Sequence, residues 1–188
     1  MIIHDSIVIK DNVLSEEQFV NFRQFCTEKT EFQSLLKGDH VYHVAETPKE
    51  IETKVLNTLE QIHQRKIDLA VTFLRLANSR LDTDLRIHCD NGNVSGKFCP
   101  SHGAIFYITH DIEFINGTAL WKHKKYGYTC PDNFDQEDIQ NFLMADKDDP
   151  SKWDLSTIIG GVENRLVTYP AKYFHSKYPS VMTGKEIK

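Results

Sequence analysis

Apolar positions in this chain follow two different periods. In the first third they recur at helical spacing. Ser15 precedes Glu16 and Glu17, and then Phe19, Val20, Phe22 and Phe25 follow. A serine N-cap, acids in the first turn and an apolar stripe predict a helix over about 15–28. Thr47-Pro48 opens a second helix, capped by the threonine with proline at its first position. Ile51, Val55, Leu59 and Ile62 form its buried stripe, and it ends near residue 65. Before the first helix, residues 3–10 are rich in β-branched side chains and end at Asp11-Asn12, which predicts a strand and a turn. Residues 29–46 are ambiguous, and 68–77 read as a strand, with helix as the alternative.

From about residue 83 the period shortens to two. The runs 85–90, Gly103–Thr109, Thr118–Trp121, Asn164–Tyr169 and Tyr173–Ser176 all read as short strands. Asn91-Gly92-Asn93 and Asn116-Gly117 are turn signals between them, the second of hairpin type. Residues 130–155 interrupt the series with Asp132, Asp135, Glu137, Asp138, Asp146, Asp148, Asp149 and Asp154. They read as an insertion over the sheet whose charges face solvent, with a short helix over Asp135–Ala145. The fold class is mainly β with flanking helices (α+β). Short strands at regular spacing suggest a sandwich or barrel, with the N-terminal helices packed on one outer face. Residues 1–188 form one domain: 1–82 supply a strand and supporting helices, and 83–188 supply the β core with its acidic insertion 130–155.

Composition narrows the function classes. With 22 Lys+Arg against 27 Asp+Glu the formal charge is −5, which argues against a general phosphate-backbone binder, so nucleic acid is not an expected partner. Neither a signal-peptide pattern nor an apolar run of about 18 residues is present, so cytoplasm and no membrane are the expectation. Cys26, Cys89, Cys99 and Cys130 contain no C-x-x-C pair and read as reduced, mostly buried thiols.

The chemistry concentrates at His88 and Asp90. Two residues apart on a strand, they share a face, and Cys89 points the other way. One imidazole and one carboxylate are two thirds of the 2-His-1-carboxylate triad that binds Fe(II) and leaves coordination positions open. With 9 His and 15 Asp in the chain, one H-x-D pair is close to what chance supplies. Its weight therefore depends on a third ligand from a distant strand, and His175, after the strand Asn164–Tyr169 and the turn Pro170-Ala171-Lys172, is well placed.

These pieces, in this order, resemble the Fe(II)/2-oxoglutarate-dependent oxygenases, specifically their small prolyl-hydroxylase-like members. The sequence reads His88-Cys89-Asp90, Ala104–Thr109, Asn116-Gly117-Thr118-Ala119-Leu120-Trp121, Asn164–Pro170, His175 and Lys185. The resemblance covers roughly 83–188, and the opening Ile7–Ser15 is similar too. It implies a double-stranded β-helix, a jelly roll related to the cupins. It implies Fe(II) on His88, Asp90 and His175, with 2-oxoglutarate chelating the iron and O₂ as the second cosubstrate. The far carboxylate of 2-oxoglutarate would meet a cation, for which Lys185 is the expected residue; Arg86, in phase with His88 and Asp90, is the other candidate. Tyr107 would donate a hydrogen bond to the cosubstrate. The implied reaction hydroxylates a small-molecule or peptidyl substrate and releases succinate and CO₂. An acidic insertion at the mouth would favour a basic or amine-bearing substrate.

Two other readings compete. A structural zinc site would use Cys99 and His102 in C-x-x-H spacing, completed by Cys89 and Cys130, with His40 and His43 as a further pair; a second close cysteine pair is missing. A non-catalytic cupin-like module would bind a metal or small molecule without turnover. A hydrolase is not supported, because no G-x-S-x-G elbow occurs, and neither is a phosphate-binding glycine loop.

Overall fold

A computed structural model describes residues 7–37, 40–77, 86–90, 100–108 and 117–178. The fold is mainly β: three antiparallel three-stranded sheets with three α-helices, among the described residues. The strands are β1 (Val8–Lys10), β2 (Gln33–Lys37), β3 (His40–Ala45), β4 (Leu74–Leu76), β5 (His102–Tyr107), β6 (Gly117–His123), β7 (Trp153–Gly160), β8 (Arg165–Pro170) and β9 (His175–Tyr178). They pair in the orders β1-β8-β5, β2-β3-β4 and β7-β6-β9.

Helix α1 (Glu16–Gln24) begins at the expected cap: Ser15 Oγ accepts from the Gln18 N–H, and Gln18 Oε1 accepts from the Ser15 N–H. A π-helical turn, Phe25–Lys29, continues it to the expected end. Helix α2 (Lys49–His63) starts one residue later than expected. Pro48 is its N-cap residue and no side chain caps it. Gln64 ends it in the left-handed region. Helix α3 (Gln136–Asp146) forms where the short helix was expected, capped by Asp135.

Alternation along β5 and β8 separates two packing layers. The cross-strand pair Phe106–Leu166 faces outward, where α1 and α2 bury Phe19, Phe22, Ile51 and Leu59 against it. The neighbouring pair Ile105–Val167 faces inward and shares a core with Leu120 of β6 and Ile159 of β7. The two sheets β1-β8-β5 and β7-β6-β9 therefore bury side chains in common, and the helices cover one outer face, as expected.

Residues 29–46, ambiguous in the sequence, contain the paired strands β2 and β3, and the strand expected over 68–77 is the short β4. Two expectations need correction. The Gly103–Thr109 and Thr118–Trp121 runs do not pair with each other, because β5 and β6 lie in different sheets. The acidic insertion ends earlier than 155: Trp153 begins β7, which pairs along the whole length of β6. The burial of β7 alternates poorly, and that is why its sequence hid it. Gly117 opens β6 where a Cβ would collide with the Ile159 carbonyl, so this turn residue is dictated by strand packing. No helix among the described residues is long and apolar enough to cross a membrane.

Candidate metal centre

The 86–90 segment is not a regular strand. It meets the sheet at one bridge, where the His88 N–H donates to the His175 carbonyl at 2.9 Å and the His175 N–H donates to the His88 carbonyl at 2.8 Å. Residues paired in this way on antiparallel chains project to the same face. His175 is held on its other side by β6, opposite Leu120. The Asp90 N–H donates to the Ala171 carbonyl at 2.7 Å, which returns its side chain to the face of His88. The intervening positions point the opposite way: Ile87 and Cys89 are buried with Cys130, Ile139, Trp153 and Phe174. The two-residue alternation inferred from sequence holds here, but core packing enforces it in place of a sheet ladder.

The three side chains converge. His88 Nε2 lies 3.7 Å from Asp90 Oδ1, and His175 Nε2 lies 3.5 Å from Asp90 Oδ2. The two imidazole centroids are 4.3 Å apart at 51°, and one ligand atom from each residue lies within 4.8 Å of the others. Donors about 2.1 Å from a shared ion, at angles of about 90–120°, stand about 3.0–3.7 Å apart. The observed spacing is therefore close to what a cation requires. Among the described residues this is the one cluster of three or more His, Cys, Asp or Glu able to hold a metal.

Both histidines are oriented alike. His88 Nδ1–H donates to the Arg86 carbonyl and His175 Nδ1–H to the Tyr173 carbonyl, each at 2.9 Å and each to the residue two positions earlier. This fixes the tautomer and leaves both Nε2 lone pairs facing Asp90, the outer-shell arrangement typical of metal-ligating histidine. Desolvation, followed by the charge of His175 and with Arg75 adding to it, holds the His88 pKa below the ordinary imidazole value; Asp90 and the Arg86 carbonyl oppose the shift. The site has one wet edge. The His88 side chain is 48% exposed, whereas that of His175 is 5% exposed.

Neighbouring residues shape the enclosed edge. A Cβ on Gly103 would lie 2.7 Å from both Asp90 Oδ2 and Tyr169 Cε2, so only glycine leaves room for the carboxylate here. The Tyr169 ring stands 4.7 Å from the His175 ring. Burial, with Asp90 and Tyr107 acting in the same direction, raises its phenol pKa well above the ordinary value, so it stays neutral.

Other expected residues fall in different places. Tyr107 faces the shared core, and its hydroxyl lies 2.6 Å from Thr118 Oγ1. Arg86 breaks the expected strand phase. Its φ is +47°, its N–H donates to Asp148 Oδ1 at 2.7 Å, and its guanidinium stands over Tyr42. Lys185 and Cys99 lie outside the described residues. His102 Nδ1 accepts from Arg65 at 2.9 Å. Cys89 and Cys130 sit in the apolar cluster behind the triad, and the hydrogen bond between their thiols holds the Cys130 pKa down.

One inward cation escaped the sequence reading. Lys177 follows His175 by two residues on β9, pairs with Thr118 of β6, and buries its Nζ. Strand alternation puts it on the face of His175, about 6.7 Å farther along. The signal was present: His175-Ser176-Lys177 repeats the spacing of His88-Cys89-Asp90. Arg165, by contrast, is committed elsewhere, bidentate to Asp11 at 2.6 and 3.0 Å.

A comparison of the chain with protein-family models, curated proteins and solved structures finds no match.

Proposed function

We propose that this protein is an Fe(II)- and 2-oxoglutarate-dependent dioxygenase built on a double-stranded β-helix, hydroxylating a small-molecule or peptidyl substrate. The observation that carries the reading is the pair of imidazoles whose Nδ1–H groups are tied to backbone carbonyls, with both Nε2 atoms turned toward one carboxylate. Two nitrogens and one carboxylate oxygen, with an open edge, form the donor set of non-haem Fe(II) oxygenases. The two sheets that share a core support the β-helix.

His88, Asp90 and His175 hold the metal. When bound, the iron and the oxo acid supply the oxidising chemistry, and the cofactor rather than the protein determines its course. The chain's own residues position and insulate. Tyr169 and Leu120 wall the enclosed side. Lys177, with the Tyr107–Thr118 hydroxyl pair, would be the group to meet the far carboxylate of the oxo acid, the role the sequence assigned to Lys185 or Arg86. A buried ammonium there offsets the desolvation of the carboxylate, which is costly to enclose without a counter-charge.

The test is anaerobic. Metal-free protein receives Fe(II) and then 2-oxoglutarate, with His175→Ala in parallel. A weak visible charge-transfer band in the native chain and none in the variant is the expected result. Tight metal binding with no band would leave a metal-binding module without oxygenase chemistry.

A further inference from the structure

We propose that the Tyr169 hydroxyl donates a hydrogen bond to the anionic oxygen through which the oxo acid meets the metal. The inference rests on the reading above and gives the cosubstrate an anchor at the end opposite Lys177.

Strand position decides what Tyr169 faces. On β8 it stands opposite Gly103 of β5, and the next pair on the same face is Ile105–Val167. This row looks into the core shared by the two sheets. Pro170 then closes the strand, and the chain turns to bring His175 in on β9. The Tyr169 and His175 rings consequently lie 4.7 Å apart between centroids, at 53°. The phenol end of the ring is the part beside Asp90. A Cβ on Gly103 would stand 2.7 Å from Tyr169 Cε2, 3.0 Å from Cζ and 2.7 Å from Asp90 Oδ2. Cζ carries the hydroxyl, so that hydroxyl belongs to the enclosed edge of the metal centre.

The chain does not use it there. Tyr169 is 2% exposed, and among the described residues no hydrogen bond engages its hydroxyl. The Tyr107 hydroxyl, on the same inward face, is paired with Thr118 Oγ1 at 2.6 Å. A buried tyrosine ordinarily finds a partner for its hydroxyl, because leaving it unpaired forfeits hydrogen bonds that water supplied. The nearest imidazole offers none: His175 Nδ1–H donates to the Tyr173 carbonyl, and Nε2 faces Asp90. A phenol is protonated at neutral pH and can donate. Its strongest complement is an anionic oxygen, which a metal-bound carboxylate supplies.

The inward positions follow an order that suits such a ligand. Tyr169 stands at the metal. Ile105, Val167 and Leu120 come next, and all are apolar. Tyr107, Thr118 and Lys177 stand at the far end. Polar groups at both ends with an apolar middle match an acid with oxygen donors at its two ends and methylenes between.

The test uses the full chain loaded with Co(II), whose visible bands report ligands at the metal. It is titrated with oxalate and with 2-oxoglutarate, at concentrations that leave the cobalt bound. Oxalate presents the metal-binding end alone. Tyr169→Phe is expected to weaken both anions tenfold or more, with Co(II) affinity unchanged. Its Tm should not fall, because the hydroxyl removed has no partner in the ligand-free chain. Lys177→Met should weaken 2-oxoglutarate and leave oxalate at its native affinity. Native affinity of Tyr169→Phe for both anions, or a loss confined to 2-oxoglutarate, would overturn the proposal. So would a loss of Co(II) affinity, which would assign the hydroxyl to Asp90 instead. A native chain that takes up no Co(II) would remove the metal reading and this proposal with it, and that failure is seen before either anion is added.

Discussion

Replacing Gly103 with alanine tests the metal centre without touching a ligand. The added methyl would meet Asp90 Oδ2 and Tyr169 Cε2 at 2.7 Å, 0.7 Å short of the 3.4 Å where ordinary contact begins. One neighbour must move. Tyr169 is 2% exposed and packed among Leu120, Ile159 and Val167, so it cannot. The Asp90 side chain is 34% exposed and can swing out. A displacement of that size exceeds the roughly 0.5 Å tolerance of a preorganised site. Metal affinity should therefore fall by about 10–100-fold, the usual loss when support for a ligand is removed. Crowding a packed position costs about 1–3 kcal/mol, and at this chain length each kcal/mol lowers Tm by roughly 2–4 °C. Zn(II) titration against a competing chelator, together with a thermal melt, reads both. Gly117→Ala is the control, because its methyl meets the Ile159 backbone and no metal donor. It should lower Tm and leave metal affinity alone. A Gly103→Ala protein with lower Tm and native metal affinity would refute this reasoning: either Tyr169 yields in place of Asp90, or Asp90 is not a metal donor.

Other expected outcomes follow from the same contacts. His88→Ala and His175→Ala should each abolish stoichiometric metal binding while far-UV dichroism stays native, since the bridge joining the two residues is made by backbone groups. Lys177→Met should raise the 2-oxoglutarate concentration needed for the charge-transfer band by tenfold or more without altering Fe(II) affinity, and unchanged cosubstrate affinity would return the role to Lys185. The metal-free protein should lose stability as pH falls below about 6.5. The pKa values of His63, His102 and His123 are all lowered, chiefly by burial, so the unfolded chain takes up protons in that range before the folded one does. Denaturant titrations at pH 7.5, 6.5 and 5.5 measure this, and His123→Phe should flatten the slope; a flat profile in the native chain would contradict it.

Much of the site was legible because its spacing carries the geometry. His88 and Asp90 share a face, and His175 arrives after a well-marked strand and turn. The helices were legible through caps and stripes, as at Ser15 and Asp135. The rest was hidden for physical reasons. β7 alternates weakly because its exposed side chains include Leu155 and Ile158. The β2–β3 hairpin exposes Leu35 and Val41, so neither strand shows a clean buried face. Arg86 could not be phased from sequence, because a left-handed residue interrupts the strand there. Lys177 was passed over because a lysine near a chain end reads as a solvated residue, whereas its pairing with Thr118 turns Nζ inward.

The placement of the H-x-D segment explains how two distant parts of the chain come to share one ion. Residues 86–90 have no strand of their own, and the N–H groups of four of them are held by four different neighbours. Arg86 and Ile87 hang from Asp148 and the Lys147 carbonyl just after α3. His88 hangs from His175, and Asp90 from Ala171. The acidic stretch that sequence alone reads as a solvated insertion thus supports the ligand segment from behind, through Asp148, Lys147, Ile139 and Trp153. A metal closing on His88, Asp90 and His175 would join ligand atoms that the fold has already brought within 4.8 Å of one another. Little further ordering would then oppose binding, and the ion would stabilise the native chain by mass action in proportion to its affinity.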